Sequence, residues 1–122
     1  MRASFVLLLL VACATPPPPP PPPPPFDGFP FQHAVTLAEV GCTEVYSADA
    51  AASLELEKRY KRPGDDRYTF NKYERCDRAP AWAMCELKLR NSAMISYLYK
   101  KANARQTGYH CRQTGGTFTE FR

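Results

Sequence analysis

Two histidines, five cysteines, one tryptophan and seven tyrosines are the residues through which this 122-residue chain could do chemistry. Neither His33 nor His110 stands at a metal-binding spacing or beside a candidate nucleophile. His110 adjoins Cys111, but neighbours on a strand point to opposite faces, and an oxidised Cys111 is no nucleophile. A surface pair of His110 with Glu120 is the expectation. No G-x-S-x-G, H-E-x-x-H or phosphate-binding loop occurs. Zinc would require closely paired thiols, and no C-x₂₋₄-C is present. Glu74 and Glu86 are of the type that cleaves glycosidic bonds in pairs, yet nothing in the sequence brings them to one cleft. The chain therefore reads as holding no catalytic residue, no metal and no cofactor.

The N-terminus is more specific. Arg2 is the only charge before Asp27, and residues 5–12 form an unbroken apolar run. That run is far shorter than the roughly 20 residues needed to cross a bilayer. A charged start, a short apolar run and small residues after it describe a secretory signal. Its end, Leu10-Val11-Ala12-Cys13, resembles the lipobox of bacterial lipoproteins. The resemblance covers thirteen residues of 122. It implies a signal peptide over 1–12, cleavage before Cys13, and acyl chains, palmitate among them, on Cys13. Two or three chains hold a protein on a membrane where one binds only marginally. Ala14, where Asp would mark inner-membrane retention, implies the outer membrane, facing the periplasm. The competing reading is cleavage after Ala14 at Ala12-Cys13-Ala14, which would release a secreted soluble protein.

Residues 16–25 are all proline. Proline fixes its own φ and excludes its predecessor from the α region. Such a tract forms a polyproline II rod, spanning roughly 30 Å at about 3.1 Å per residue. It reads as a spacer, with recognition by a proline-binding domain as the alternative. Phe26, Phe29 and Phe31 are too apolar for a linker and are expected to cover an edge of the domain. The organisation is thus a signal peptide at 1–12, a lipidated Cys and spacer at 13–30, and a small envelope domain at 31–122.

Past the leader, four cysteines remain: Cys42, Cys76, Cys85 and Cys111. An even count in an exported chain implies two disulfides, each worth about 2–4 kcal/mol to so small a domain. Cys85–Cys111 with Cys42–Cys76 is the favoured pairing. Charge is uneven: residues 26–57 hold six acids and no Lys or Arg, whereas 88–122 hold seven bases against Glu120 alone. These ends either face one another or leave a basic surface for an anionic partner. Export argues against nucleic acid.

The pattern predicts an α+β domain: a small antiparallel sheet of four to five strands with one helix, stapled by two disulfides. Residues 33–40 read as a strand, with a helix start at Thr36 and Glu39 as the alternative. Residues 47–62 read as the helix, capped by Ser47 or Asp49, with Ala48, Ala52, Leu56 and Tyr60 on one face and Pro63-Gly64 as its stop; a strand through Leu54 and Leu56 is its rival. Residues 67–76 and 81–90 read as a hairpin with Phe70 opposite Leu87 and Tyr68 opposite Leu89. Residues 94–102 favour a strand over a helix. Residues 109–113 and 117–121 read as a last hairpin around Thr114-Gly115-Gly116.

The function expected is that of a lipid-anchored envelope protein, attached to the membrane through Cys13, with a non-catalytic binding or structural domain. Trp82, Tyr97, Tyr99, Lys100, Lys101 and Arg105 form its candidate ligand surface, for a cell-wall polymer or an envelope protein. The alternatives are an enzyme acting on envelope glycans and an inhibitor of a lytic enzyme.

Overall fold

The computed structural model describes residues 16–61, 64 and 66–121, without the side chains of Leu56 and Tyr60. The lipobox and Cys13 lie outside the described residues, as does Pro63. Residues 16–25 carry no regular secondary structure and are exposed, apart from a partly buried Pro23.

The fold begins at a tight turn. Asp27 and Gly28 both have positive φ (51° and 79°), and Phe26 and Phe29 exchange backbone hydrogen bonds of 3.0 and 2.9 Å, as in a type I′ turn. The rings of Phe26 and Phe31 then pack on Tyr46, at 5.4 and 5.5 Å. The aromatic run thus packs on the core, where its composition led to the expectation of a covered edge.

Six strands form one antiparallel sheet: β1 (Phe31–Leu37), β2 (Gly41–Ser47), β3 (Tyr68–Asn71), β4 (Ala83–Lys88), β5 (Ser92–Leu98) and β6 (Thr117–Glu120). Two helices, α1 (Ala50–Tyr60) and α2 (Ala104–Gln113), accompany them. The spatial order is β3-β1-β2-β5-β4-β6. Each half of the chain follows one plan: a hairpin, a helix, and a strand that returns beside the hairpin's first strand. The halves meet through β2 and β5, with Glu44 opposite Ile95.

The two faces differ. One carries Ala34, Cys42, Tyr46, Ala93, Ile95 and Tyr97, all buried together with Cys76. It is covered by Phe31 at the start of β1 and by Phe26, Phe29, Ala81, Tyr99 and Phe121, which lie outside the strands. The other face carries the helices: α1 lies against β1 and β3, and α2 against β6. Asp49 caps α1 by accepting from the backbone N–H of Ala51 (3.0 Å) and Ala52 (3.3 Å). Asn103 caps α2 in the same way, through Gln106 N–H (3.0 Å).

The two disulfides join Cys42 to Cys76 and Cys85 to Cys111, the pairing favoured from sequence. The second ties α2 to β4 at a point where no side chain fits. A Cβ on Gly116 would lie 2.8 and 2.9 Å from the sulfurs of Cys85 and Cys111 and 3.0 Å from the Cys111 carbonyl oxygen. Gly116→Ala is therefore expected to destabilise the domain by about 1–3 kcal/mol, read as a lowered urea midpoint; an unchanged midpoint would contradict this packing.

Four sequence expectations are corrected. The sheet has six strands, not four or five, and the described residues form two helices, not one. The first strand is followed by a second, β2, across a three-residue turn, so no helix starts at Thr36. The hairpin of 67–76 with 81–90 does not exist: β3 pairs with β1, placing Phe70 opposite Val35 and Tyr68 opposite Leu37, while β4 pairs with β5 and β6. The last hairpin is absent too, because 104–113 is helical and β6 joins β4. His110 is thus an exposed helix residue beside Tyr109, and Glu120 sits opposite Ala83. The helix of 47–62 is present as α1, without strand character. Its described buried side chain is Ser53, whereas Ala48 and Ala52 are exposed.

Candidate ligand-binding trough

Strand alternation and register dictate what lies on the helix face. Three rows cross the central strands there: His33–Val45–Met94, Val35–Thr43–Ser96 and Leu37–Gly41–Leu98. The helices sit over the outer strands, so these rows form the floor of an open trough of about 420 Å³. Tyr68 on β3, Val40 in the β1–β2 turn, and Cys42 and Tyr97 on the central strands also line it. The size falls within the roughly 300–1,000 Å³ typical of small-molecule sites. Among the described residues the lining contains no Asp, Glu, Lys or Arg. The hydroxyls of Thr43 and Ser96 bond to each other at 3.0 Å across the β2–β5 seam, so the middle of the floor is polar but internally satisfied.

His33 closes one end. It is fully buried, its ring stacked on Phe70 with centroids 4.5 Å apart, and its Nδ1 lies 2.5 Å from Ser53 Oγ on α1. Nε2 has no hydrogen-bond partner among the described residues. Burial holds the His33 pKa below its ordinary value; Lys72 acts in the same direction and Glu57 opposes both. The imidazole is accordingly neutral at neutral pH. Since the unfolded chain binds this proton more readily, stability falls as pH drops below about 6.5, the unfolded value. Urea midpoints at pH 7.5 and 5.5 check this, and the difference is expected to shrink in His33→Phe.

The opposite face holds a buried charge. Glu44 is 1 % exposed. Its Oε1 accepts from Tyr46 Oη at 3.0 Å, and its Oε2 accepts from Cys76 N–H at 2.9 Å. The Arg75 guanidinium lies 3.5 Å from Oε2. Burial, followed by the Glu44 charge, pushes the Tyr46 hydroxyl well above its ordinary range, which keeps it a donor. This cluster fastens the connection between β3 and β4 over the core face, next to the Cys42–Cys76 bond. Its carboxylate is fully engaged, so it is a structural element.

Of the residues expected to form a ligand surface, Tyr97 lines the trough and Trp82 lies beside Lys100. Tyr97 is 2 % exposed on the core face, with the Arg78 guanidinium over its ring. Tyr99 is half-buried and donates to the Asp77 carbonyl at 2.6 Å. Trp82 is half-buried and donates from Nε1 to the Lys100 carbonyl at 2.9 Å. Lys100 and Lys101 are exposed between β5 and α2. Arg105 lies on α2 beside an open depression shared with Asn103, Gln106, Tyr109 and Arg112. Glu74 is exposed after β3, and Glu86 is half-buried on β4 opposite Ile95. Apart from Tyr97, the sequence did not single out the trough residues, because a half-covered strand face alternates just as a core face does. The one available signal was His33 within an otherwise apolar alternation with Val35 and Leu37.

The acids of 26–57 pair with both nearby and distant bases: Glu55 with Lys58 at 3.2 Å, Glu57 with Lys61 and with Lys72, both at 2.7 Å, and Glu44 with Arg75 at 3.5 Å. Asp27 reaches Lys88, at 3.6 Å. Among the described residues no cluster of three or more His, Cys, Asp or Glu could hold a metal ion, and no helix is long and apolar enough to cross a membrane. No protein family, curated protein or solved structure matches this chain.

Proposed function

We propose that this protein is a lipid-anchored component of the bacterial cell envelope whose non-catalytic domain binds a small apolar ligand in the trough. Acyl chains on Cys13 attach it to the membrane, in the outer membrane facing the periplasm, and the prolines of 16–25 hold the domain away from the lipid surface. One observation carries the binding role: the centre of the helix face is uncharged and uncovered, and apolar on either side of the Thr43–Ser96 pair, while both helices sit over the outer strands. Leaving such a floor open forgoes hydrophobic stabilisation of about 25 cal/mol per Å², a loss that bound ligand would recover. A second contact, with an anionic cell-wall polymer or an envelope protein, is favoured by Arg105, Tyr109 and Arg112 on α2, all exposed.

Intact mass spectrometry of protein isolated from its own envelope tests both parts. Under denaturing conditions the mass is expected to begin at Cys13 with acyl chains added, and to rise by about 4 Da on reduction of two disulfides. Under native conditions an additional small molecule is expected, absent from a Val45→Gln/Leu98→Gln variant that retains its acyl chains. A mass beginning at Thr15 without lipid would make the protein secreted and remove the tether; a native mass with no adduct would remove the ligand.

A further inference from the structure

His33 occupies a position where a strand facing this floor would ordinarily carry an aliphatic residue. Its row mates are Val45 and Met94. It is 0 % exposed, yet only Nδ1 is used, by Ser53; Nε2 is buried without a partner among the described residues. A buried, unbonded ring nitrogen costs free energy. Phenylalanine would avoid that cost while keeping the stack on Phe70. Neighbouring charges are committed elsewhere: Glu57 on α1 is bonded to Lys61 and to Lys72.

The neutral ring has one donor nitrogen and one acceptor nitrogen. When Ser53 donates to Nδ1, Nε2 carries the proton and offers a donor. When Nδ1 donates to Ser53, Nε2 offers an acceptor. A hydroxyl answers either case because it both donates and accepts. A carboxylate answers only the first and must also leave water.

We propose that the trough takes an aliphatic chain ending in an uncharged hydroxyl, which displaces the side chains that bury Nε2 of His33 and hydrogen-bonds that nitrogen while the chain lies on the largely apolar floor. This rests on the trough being the ligand site, as proposed above. It adds a specific role for His33: the residue selects the end group, and the floor supplies affinity for the chain.

The test uses the full chain with Cys13→Ala, so that neither lipid nor detergent competes. Dodecanol, dodecane and dodecanoate are compared as competitors of the fluorescent apolar probe N-phenylnaphthylamine. Dodecanol is expected to bind about tenfold more tightly than dodecane, equivalent to about 1.4 kcal/mol, with dodecanoate the weaker of the two oxygenated chains. With isotope-labelled histidine, the Nε2 resonance of His33 is expected to shift with dodecanol and not with dodecane, while His110 stays unchanged. In a His33→Phe/Ser53→Ala variant both chains are expected to bind, with less than twofold discrimination. Equal binding of dodecanol and dodecane without a shift at His33 overturns the role of His33 and leaves the trough reading standing. Discrimination persisting in the double variant overturns it as well. Failure of the probe and all three chains to bind overturns the trough itself. The ring resonance of the unsubstituted residue decides the matter whether or not the double variant folds.

Discussion

Alanine at both Cys85 and Cys111 is expected to lower stability by about 3–4 kcal/mol and to melt α2 before the sheet. The bond closes a loop with a sequence separation of 26, and loop-closure entropy for that length gives this magnitude. For a small domain with about 5–15 kcal/mol in total, that is a large fraction. The effect on α2 is local in origin. Its buried residues are Gly108 and Cys111, so this helix has little apolar surface of its own to hold it on β4 and β6. Helical circular dichroism lost at lower urea than near-ultraviolet tyrosine signal is the expected result. The Cys42→Ala/Cys76→Ala pair should cost a similar amount, from a separation of 34, while leaving α2 in place. Loss of less than about 1 kcal/mol from either pair would sink the view that the domain depends on its staples.

Glu44→Ala is expected to cost about 3–5 kcal/mol, the range for breaking a buried ion pair. The origin is not mainly the loss of attraction to Arg75. That side chain is 40 % exposed and can turn to water. The burden falls on Tyr46, fully buried, and on the Cys76 N–H, both of which lose their acceptor; each orphaned donor costs about 1–3 kcal/mol. Glu44→Gln keeps a carbonyl acceptor and should cost less, about 1.5–3 kcal/mol. Adding Tyr46→Phe to Glu44→Ala is expected to recover part of the loss, because it removes one orphan. Urea denaturation of the three variants measures this. A double variant no more stable than Glu44→Ala would show that the Tyr46 hydroxyl finds another partner.

Local signals fixed some elements correctly. Asp49 followed by three alanines combines a cap with strong helix formers, and α1 formed there with the Glu57–Lys61 pair at 2.7 Å. Alternation in 81–90 marked β4, and 94–102, which also fitted a helix, favoured the strand found as β5. Elsewhere the local signal was weak or misleading. The β1–β2 turn contains no Gly or Asn; Glu39 takes positive φ (64°) in their place, so the hairpin carried no turn signature. In α2, Ala104, Thr107, Gly108 and Cys111 are the inward-facing residues. They fall at helical spacing, but they are small or polar, and Thr114-Gly115-Gly116 imitates a hairpin loop.

By itself, the sequence carried the resemblance to an export signal and lipobox, the ten-proline tract, the α+β class, the even count of cysteines past residue 15 and the absence of familiar catalytic motifs. These depend on residue type and short-range spacing. Only the tertiary structure decided the strand order, the separation of β3 from β4, the burial of Glu44 and Tyr97, and the trough with His33 at its end. These depend on which strands pair over long separations. Apolar alternation shows that a strand has a face to cover, but not what covers it. Here loops and the Cys42–Cys76 disulfide cover one face, and the two helices leave the middle of the other open.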